Sequence, residues 1–257
     1  MHLQFRDAGH GWDRFGLSRD AVVMSKAITR FFYDLWFRVD SRGGEHIPQT
    51  RAAILAANHS GMLPLDGIML WADVLAQTHP PRVLRVAVDQ FVSRIPFVYT
   101  LFSRNGGILG TRTTVDHMLS EGELLGIFPE GVPGIAKPFG ERYRLRPFRV
   151  GHAELAIRWG APIVPVAIVG AEEQWPELTR IESFHLFGAP YLPIPVTPFP
   201  LPVRYRIRYG EPLDPRGRFA PEEADEPAVA RKFASEVQEA VQLLIDGALR
   251  ERRGIFR

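Results

Sequence analysis

The chain has 257 residues, 46% hydrophobic and 23% charged, which suits one folded domain with a sizeable core and excludes a disordered chain. Its 31 Lys and Arg against 29 Asp and Glu leave a formal charge of +2, too weak a balance to single out nucleic acid as a partner. Cysteine is absent, which excludes disulfides, thiolate metal sites and a cysteine nucleophile.

Residues 1–7 are broken by charges and lack the apolar core of a signal peptide. Nowhere do about 18 apolar residues run together, so no membrane-spanning helix is expected. Residues 20–38 have helical periodicity, with Ile28, Phe31, Phe32, Leu35 and Trp36 on one stripe, widened by Tyr33 and Phe37. That stripe suits a helix packed on its own domain, an interfacial helix whose aromatics dip into lipid headgroups, or both on different faces. Residues 52–57 form a short apolar run, a buried-strand candidate, ending at the turn-prone Asn58-His59-Ser60-Gly61. A helix is predicted over 67–75, strands over 83–88, 107–109 and 123–128, a helix over 153–159 and a central strand over 163–169. The proline- and aromatic-rich residues 187–202 read as an extended surface loop. Residues 203–209 alternate Arg with apolar residues, as in an edge or half-exposed strand. Residues 221–253 form a final helix with Phe233, Val237, Val241 and Leu244 as its buried stripe. Strands alternating with helices indicate an α/β domain. The expected organisation is an amphipathic helical segment over 1–45, a core over 46–215 and a C-terminal helix over 216–257.

The densest chemistry lies at Asn58-His59, directly after the first apolar strand, with Asp66 seven positions on. A strand end is where α/β folds place reactive groups, and an Asp near a His can hold the imidazole in one tautomer as a base. Three further segments follow in order: Gly106-Gly107-Ile108-Leu109-Gly110-Thr111-Arg112, Phe128-Pro129-Glu130-Gly131 and Val164-Pro165-Val166. Together the four blocks resemble the glycerophospholipid acyltransferase superfamily. The resemblance implies a glycerol-3-phosphate acyltransferase-like fold, with a central, mostly parallel sheet flanked by helices. It implies transfer of a fatty acyl group from acyl-CoA or acyl-carrier protein to a (lyso)glycerolipid hydroxyl, such as that of 1-acylglycerol-3-phosphate. His59 would be the general base and Asp66 its partner. Asn58, Arg112, Glu130 and Gly131 would bind substrate, and Pro165 would shape the wall. No metal or organic cofactor is implied, since the thioester is already activated. The partners implied are the acyl donor, a lipid acceptor and a membrane surface, with no nucleic acid. The expected location is cytoplasmic, peripheral on the inner face of the cell membrane.

Two departures from the family pattern stand out. Six residues separate His59 from Asp66 where the family has four, so the two meet only if the chain turns between them. Gly61 and Pro64 supply the turn chemistry, and Pro64 can open a helix that contains Asp66. After Gly131 the family's Thr-Arg-Ser is replaced by Val132-Pro133-Gly134. A phosphate would then meet Arg112, Lys137 or Arg149. An acceptor without phosphate, such as diacylglycerol or a glycolipid, fits equally, and a non-catalytic lipid-binding adaptor is the contrasting reading.

Overall fold

The computed structural model describes residues 3, 7–60, 64–95, 97–135, 137–181 and 192–256. In chain order the elements are α1 (Arg19–Phe31), β1 (Asp40–Arg42), β2 (Ala53–Ala57), α2 (Leu65–Gln77), β3 (Leu84–Val88), α3 (Val98–Arg104), β4 (Ile108–Leu109), α4 (Arg112–Ser120), β5 (Leu124–Ile127), α5 (Val132–Ile135), α6 (Gly151–Trp159), β6 (Ile163–Val169), β7 (Glu177–Ile181), β8 (Leu192–Pro195), β9 (Arg206–Tyr209) and α7 (Pro227–Glu251). Seven strands form one sheet in the order β1-β9-β6-β2-β5-β3-β4. All neighbours are parallel except β6 and β9, so the sheet is mostly parallel, as expected.

A parallel sheet covered on both faces needs strands that are apolar throughout. β2 and β6 meet that requirement, with every residue buried. Alternate side chains serve opposite faces. Leu55, Val164, Val166 and Ile168 join Val22 of α1 and Met69, Leu70 and Leu75 of α2 on one face. Ile54, Ile163, Ala167 and Val169 join Val115 of α4, Ile157 of α6 and Phe233, Val237 and Val241 of α7 on the other.

Four elements depart from the sequence expectations. The N-terminal helix changes character at Phe32, where a π-helical turn spans Phe32–Trp36. This splits the aromatic stripe: Phe32, Tyr33 and Trp36 pack inward, while Phe31 and Leu35 stay exposed. Arg206–Tyr209 is not a half-exposed edge, because β1 covers it and all four residues are buried. Asp40 and Glu251 neutralise the buried Arg208 there, at 3.2 and 2.9 Å. Part of the expected 187–202 loop is strand β8, paired antiparallel with β7, while residues 182–191 lie outside the described set. In α7 the buried stripe continues from Val241 to Ile245, and Leu244 is half-buried beside it. No described helix is long and apolar enough to cross a membrane.

Candidate active site

Asn58 ends β2 with its side chain. Its Nδ2 donates to the Ile168 carbonyl at 3.0 Å and its Oδ1 accepts from the Ile168 N–H at 2.7 Å. The β2–β6 register stops at Ala57 and Val166, so this amide extends the ladder while the main chain leaves the sheet. Each end of the Asn58 amide thus holds one partner on β6.

The departing chain carries His59. Its Nδ1 lies 2.7 Å from Oδ2 of Asp66, its ring stacks on Phe128 with centroids 4.4 Å apart, and its N–H donates to Oε1 of Glu130 at 3.1 Å. The long His–Asp spacing closes as the turn chemistry requires: Pro64 caps α2 and places Asp66 in its first turn. There Asp66 is fully buried, and its carboxylate also accepts the N–H groups of Ser60 at 2.9 Å and Gly67 at 2.7 Å. A helix N-terminus favours negative charge. The ionised carboxylate is acceptor-only, so the proton between the two residues belongs to Nδ1 of His59. Nε2 is left with its lone pair, and the imidazole is 20% exposed. An imidazole held in this way can take a proton at Nε2.

Glu130 is buried and fully engaged. Besides the His59 N–H it accepts the Arg146 N–H at 2.7 Å, and Lys137 Nζ lies 3.2 Å away. Lys137 also reaches Glu172 at 3.0 Å, and its side chain is almost wholly buried. Burial raises the Glu172 carboxyl above its ordinary range, while Lys137 pulls it back. Removing one partner from such a buried ionic group leaves uncompensated charge, at a cost of about 3–5 kcal/mol. Glu130 and Lys137, both expected to bind substrate, are therefore committed to internal partners. Gly131 adopts a φ of +61°, and its N–H closes the turn onto the Phe128 carbonyl at 3.0 Å, so this amide is not offered to an anion. Its lack of a side chain instead admits the Arg149 guanidinium, whose Cζ would lie 3.0 Å from a Cβ placed there. Among the described residues no acidic side chain pairs with Arg149, and its side chain is exposed.

Seven of the expected site residues thus converge: Asn58, His59, Asp66, Glu130, Gly131, Lys137 and Arg149. Arg112 stands apart. It opens α4 with its side chain 65% exposed, 3.7 Å from Asp225, which also holds Arg158 at 2.6 Å. The sheet order explains this, because β5 and β3 intervene between β2 and β4. At ~4.8 Å per strand that is roughly 14 Å. Pro165 lies mid-strand in β6, fully buried, and its carbonyl accepts from the Gly210 N–H at 2.9 Å. Sequence reasoning did not assign Phe128, Ser60, Arg146 and Glu172 to the site. Phe128 was visible within the Phe-Pro-Glu-Gly block, whereas Arg146 contributes through a main-chain N–H that leaves no side-chain signature, and Ser60 through its N–H and, at 3.4 Å, its hydroxyl.

His152, in the first turn of α6, lies just behind this cluster. Its Nδ1–H donates to the Arg149 carbonyl at 2.7 Å. Burial pushes its pKa down from 6.5 to about 4. The folded protein then binds this proton less readily than the unfolded chain, so the stability involved is present above pH 6.5 and lost as pH falls towards 4. Urea unfolding between those values should show a loss of about 3 kcal/mol that His152→Asn lacks. Equal pH slopes in the two proteins would contradict the assignment.

These features define an α/β enzyme with its reactive groups at strand ends. Comparison with known proteins identifies the class. A family model described as acyltransferase matches residues 38–169, just over half of the chain. An uncharacterised protein of Mycobacterium tuberculosis is 38% identical across 95% of this chain and 71% of its own length. A Bos taurus protein named "DGAT1/2-independent enzyme synthesizing storage lipids" is 30% identical, over 82% of this chain and 60% of its own. The crystal structure of the 1-acyl-sn-glycerophosphate acyltransferase PlsC from Thermotoga maritima superposes with a TM-score of 0.59 at 22% identity, over 91% of this chain and 81% of that one, a likeness of fold. The chain belongs to the acyltransferase family, within the glycerophospholipid acyltransferase superfamily that the four sequence blocks resemble, and it is an acyltransferase.

Proposed function

We propose that this acyltransferase moves a fatty acyl group from acyl-CoA or acyl-carrier protein to the hydroxyl of a (lyso)glycerolipid, with His59 as general base. The observation that carries the reading is the 2.7 Å pair between His59 Nδ1 and a fully buried Asp66, which leaves Nε2 free to act. Nε2 takes the proton of the acceptor hydroxyl as its oxygen attacks the thioester carbonyl. The C–S bond then breaks, and the imidazolium returns the proton to the departing thiolate. Asp66 orients the ring and stabilises its cation. No organic cofactor or metal enters this scheme.

For a lysophosphatidate-type acceptor, Arg149 is the cation left to meet the phosphate. Arg112 and Lys137 are both ion-paired, which favours as a second reading an acceptor without phosphate, such as diacylglycerol. The storage-lipid name of the bovine relative accords with that second reading.

Both substrates partition into lipid, and the protein offers a surface suited to a bilayer. Met24, Ile28, Phe31 and Leu35 recur at spacings of four, three and four and are all exposed, forming an apolar line along α1 and its π-turn. We place the enzyme at the inner face of the cell membrane, as a peripheral protein, where the thioester donors are found.

The test is purified protein with acyl-CoA or acyl-carrier protein as donor, and lysophosphatidate, monoacylglycerol or diacylglycerol presented in vesicles. Transfer to lysophosphatidate that falls in Arg149→Ala, with diacylglycerol a poor acceptor, supports the first reading. Transfer to diacylglycerol insensitive to Arg149→Ala supports the second. Thioester turnover with none of these acceptors would overturn both.

A further inference from the structure

The segment from Tyr143 to Arg149 has no helix or strand of its own, yet it adjoins the candidate base. Main-chain polar groups in such a segment must find partners elsewhere, and here side chains provide them. Two come from α7, more than sixty residues beyond the stretch that matches the family. Gln238 Oε1 accepts the Phe148 N–H at 2.9 Å. Gln242, one helical turn on and on the same face, donates to the Tyr143 carbonyl at 3.1 Å and accepts the Leu145 N–H at 3.4 Å. Tyr143 holds a left-handed φ of 64°, a conformation that a non-glycine residue keeps only when its surroundings over-determine it.

This anchored segment reaches the site twice. The Arg146 N–H meets one oxygen of Glu130, whose other oxygen holds the His59 N–H. The Arg149 N–H meets the Pro129 carbonyl at 3.0 Å, beside the turn on which its guanidinium rests.

We propose that Gln238 and Gln242 are positioning residues for acyl transfer, acting through residues 143–149 and Glu130 on the placement of His59. The proposal rests on the reading of His59 as the base. It assigns to the C-terminal helix a part in setting the geometry of the site as well as a part in the core.

The test compares Gln238→Met, which keeps the length of the side chain but removes the acceptor, with Gln238→Glu, which restores one. Gln238→Met should lower kcat about tenfold, as expected for a small displacement of a catalytic group, with the KM for the thioester donor unchanged. Gln238→Glu should return kcat to within a factor of two or three. Amide hydrogen exchange at Arg146 and Phe148 should quicken in the Met variant and not in the Glu variant. A Met variant with wild-type kcat, or a Glu variant as impaired as the Met variant, would overturn the proposal. Should Gln238→Met fail to fold, Gln242→Met read by the same kcat and exchange measurements takes its place, and unchanged values there would also overturn it. The reading of His59 fails separately, if His59→Ala turns over normally whatever the Gln238 variants do.

Discussion

His59→Ala is expected to lower acyl transfer by about 10²–10⁴-fold, the usual contribution of a positioned general base, with little change in the fold. The fold should survive because the ring lies outside the strands and touches the core mainly through Phe128. Asp66 loses one hydrogen-bond donor in the variant, yet keeps the N–H groups of Ser60 and Gly67. Thiol release from acyl-CoA with a saturating acceptor measures the first effect, and thermal unfolding followed by circular dichroism measures the second. Turnover at the wild-type rate would remove His59 from the mechanism. A variant that is both inactive and unfolded would make His59→Gln the informative substitution, since it preserves bulk against Phe128.

Much of this arrangement was legible beforehand, and the reason differs by element. β2 and β6 announce themselves because a strand buried on both faces must be apolar at every position. β1 does not, because Asp40-Ser41-Arg42 has no apolar pattern and joins the sheet through β9 alone. The alternation of Arg and apolar residues at 203–209 suggested half-exposure. In fact Arg206 and Arg208 are buried, and Arg208 is balanced by Asp40 and by Glu251, partners distant in sequence. The same limit applies at the site. That Pro64 could open a helix carrying Asp66 was legible in local turn chemistry, while the lengthened spacing leaves the pairing of Asp66 with His59 open. That Arg112 would open α4 beside Asp225, with β5 and β3 between β2 and β4, is a matter of topology that no local pattern records. Lys137 resembles a surface lysine until Glu172, thirty-five residues later, is brought against it.

Asp66→Asn separates orientation of the base from its presence. The two carboxylate oxygens of Asp66 accept from His59 Nδ1–H, the Ser60 N–H and, at 3.4 Å, the Ser60 hydroxyl on one side, and from the Gly67 N–H on the other. An asparagine has one oxygen to offer, so whichever way it turns, its NH₂ confronts a donor. If the NH₂ faces His59, the imidazole relieves the conflict by moving its proton to Nε2 and accepting at Nδ1. That is the tautomer that cannot take a proton from an acceptor hydroxyl. If the oxygen faces His59, the NH₂ opposes the Gly67 N–H at the start of a buried helix, and the imidazolium loses its counter-charge in either case. A wrong-tautomer substitution of this kind costs on the order of 10³–10⁴ in kcat. The loss should fall on kcat and leave the KM for the donor nearly unchanged, because Asp66 is fully buried and cannot touch the thioester. The ¹⁵N shifts of the His59 ring report the tautomer directly. An Asp66→Asn protein with Nε2 still unprotonated and kcat near that of the wild type would show that the carboxylate has no part in preparing the base.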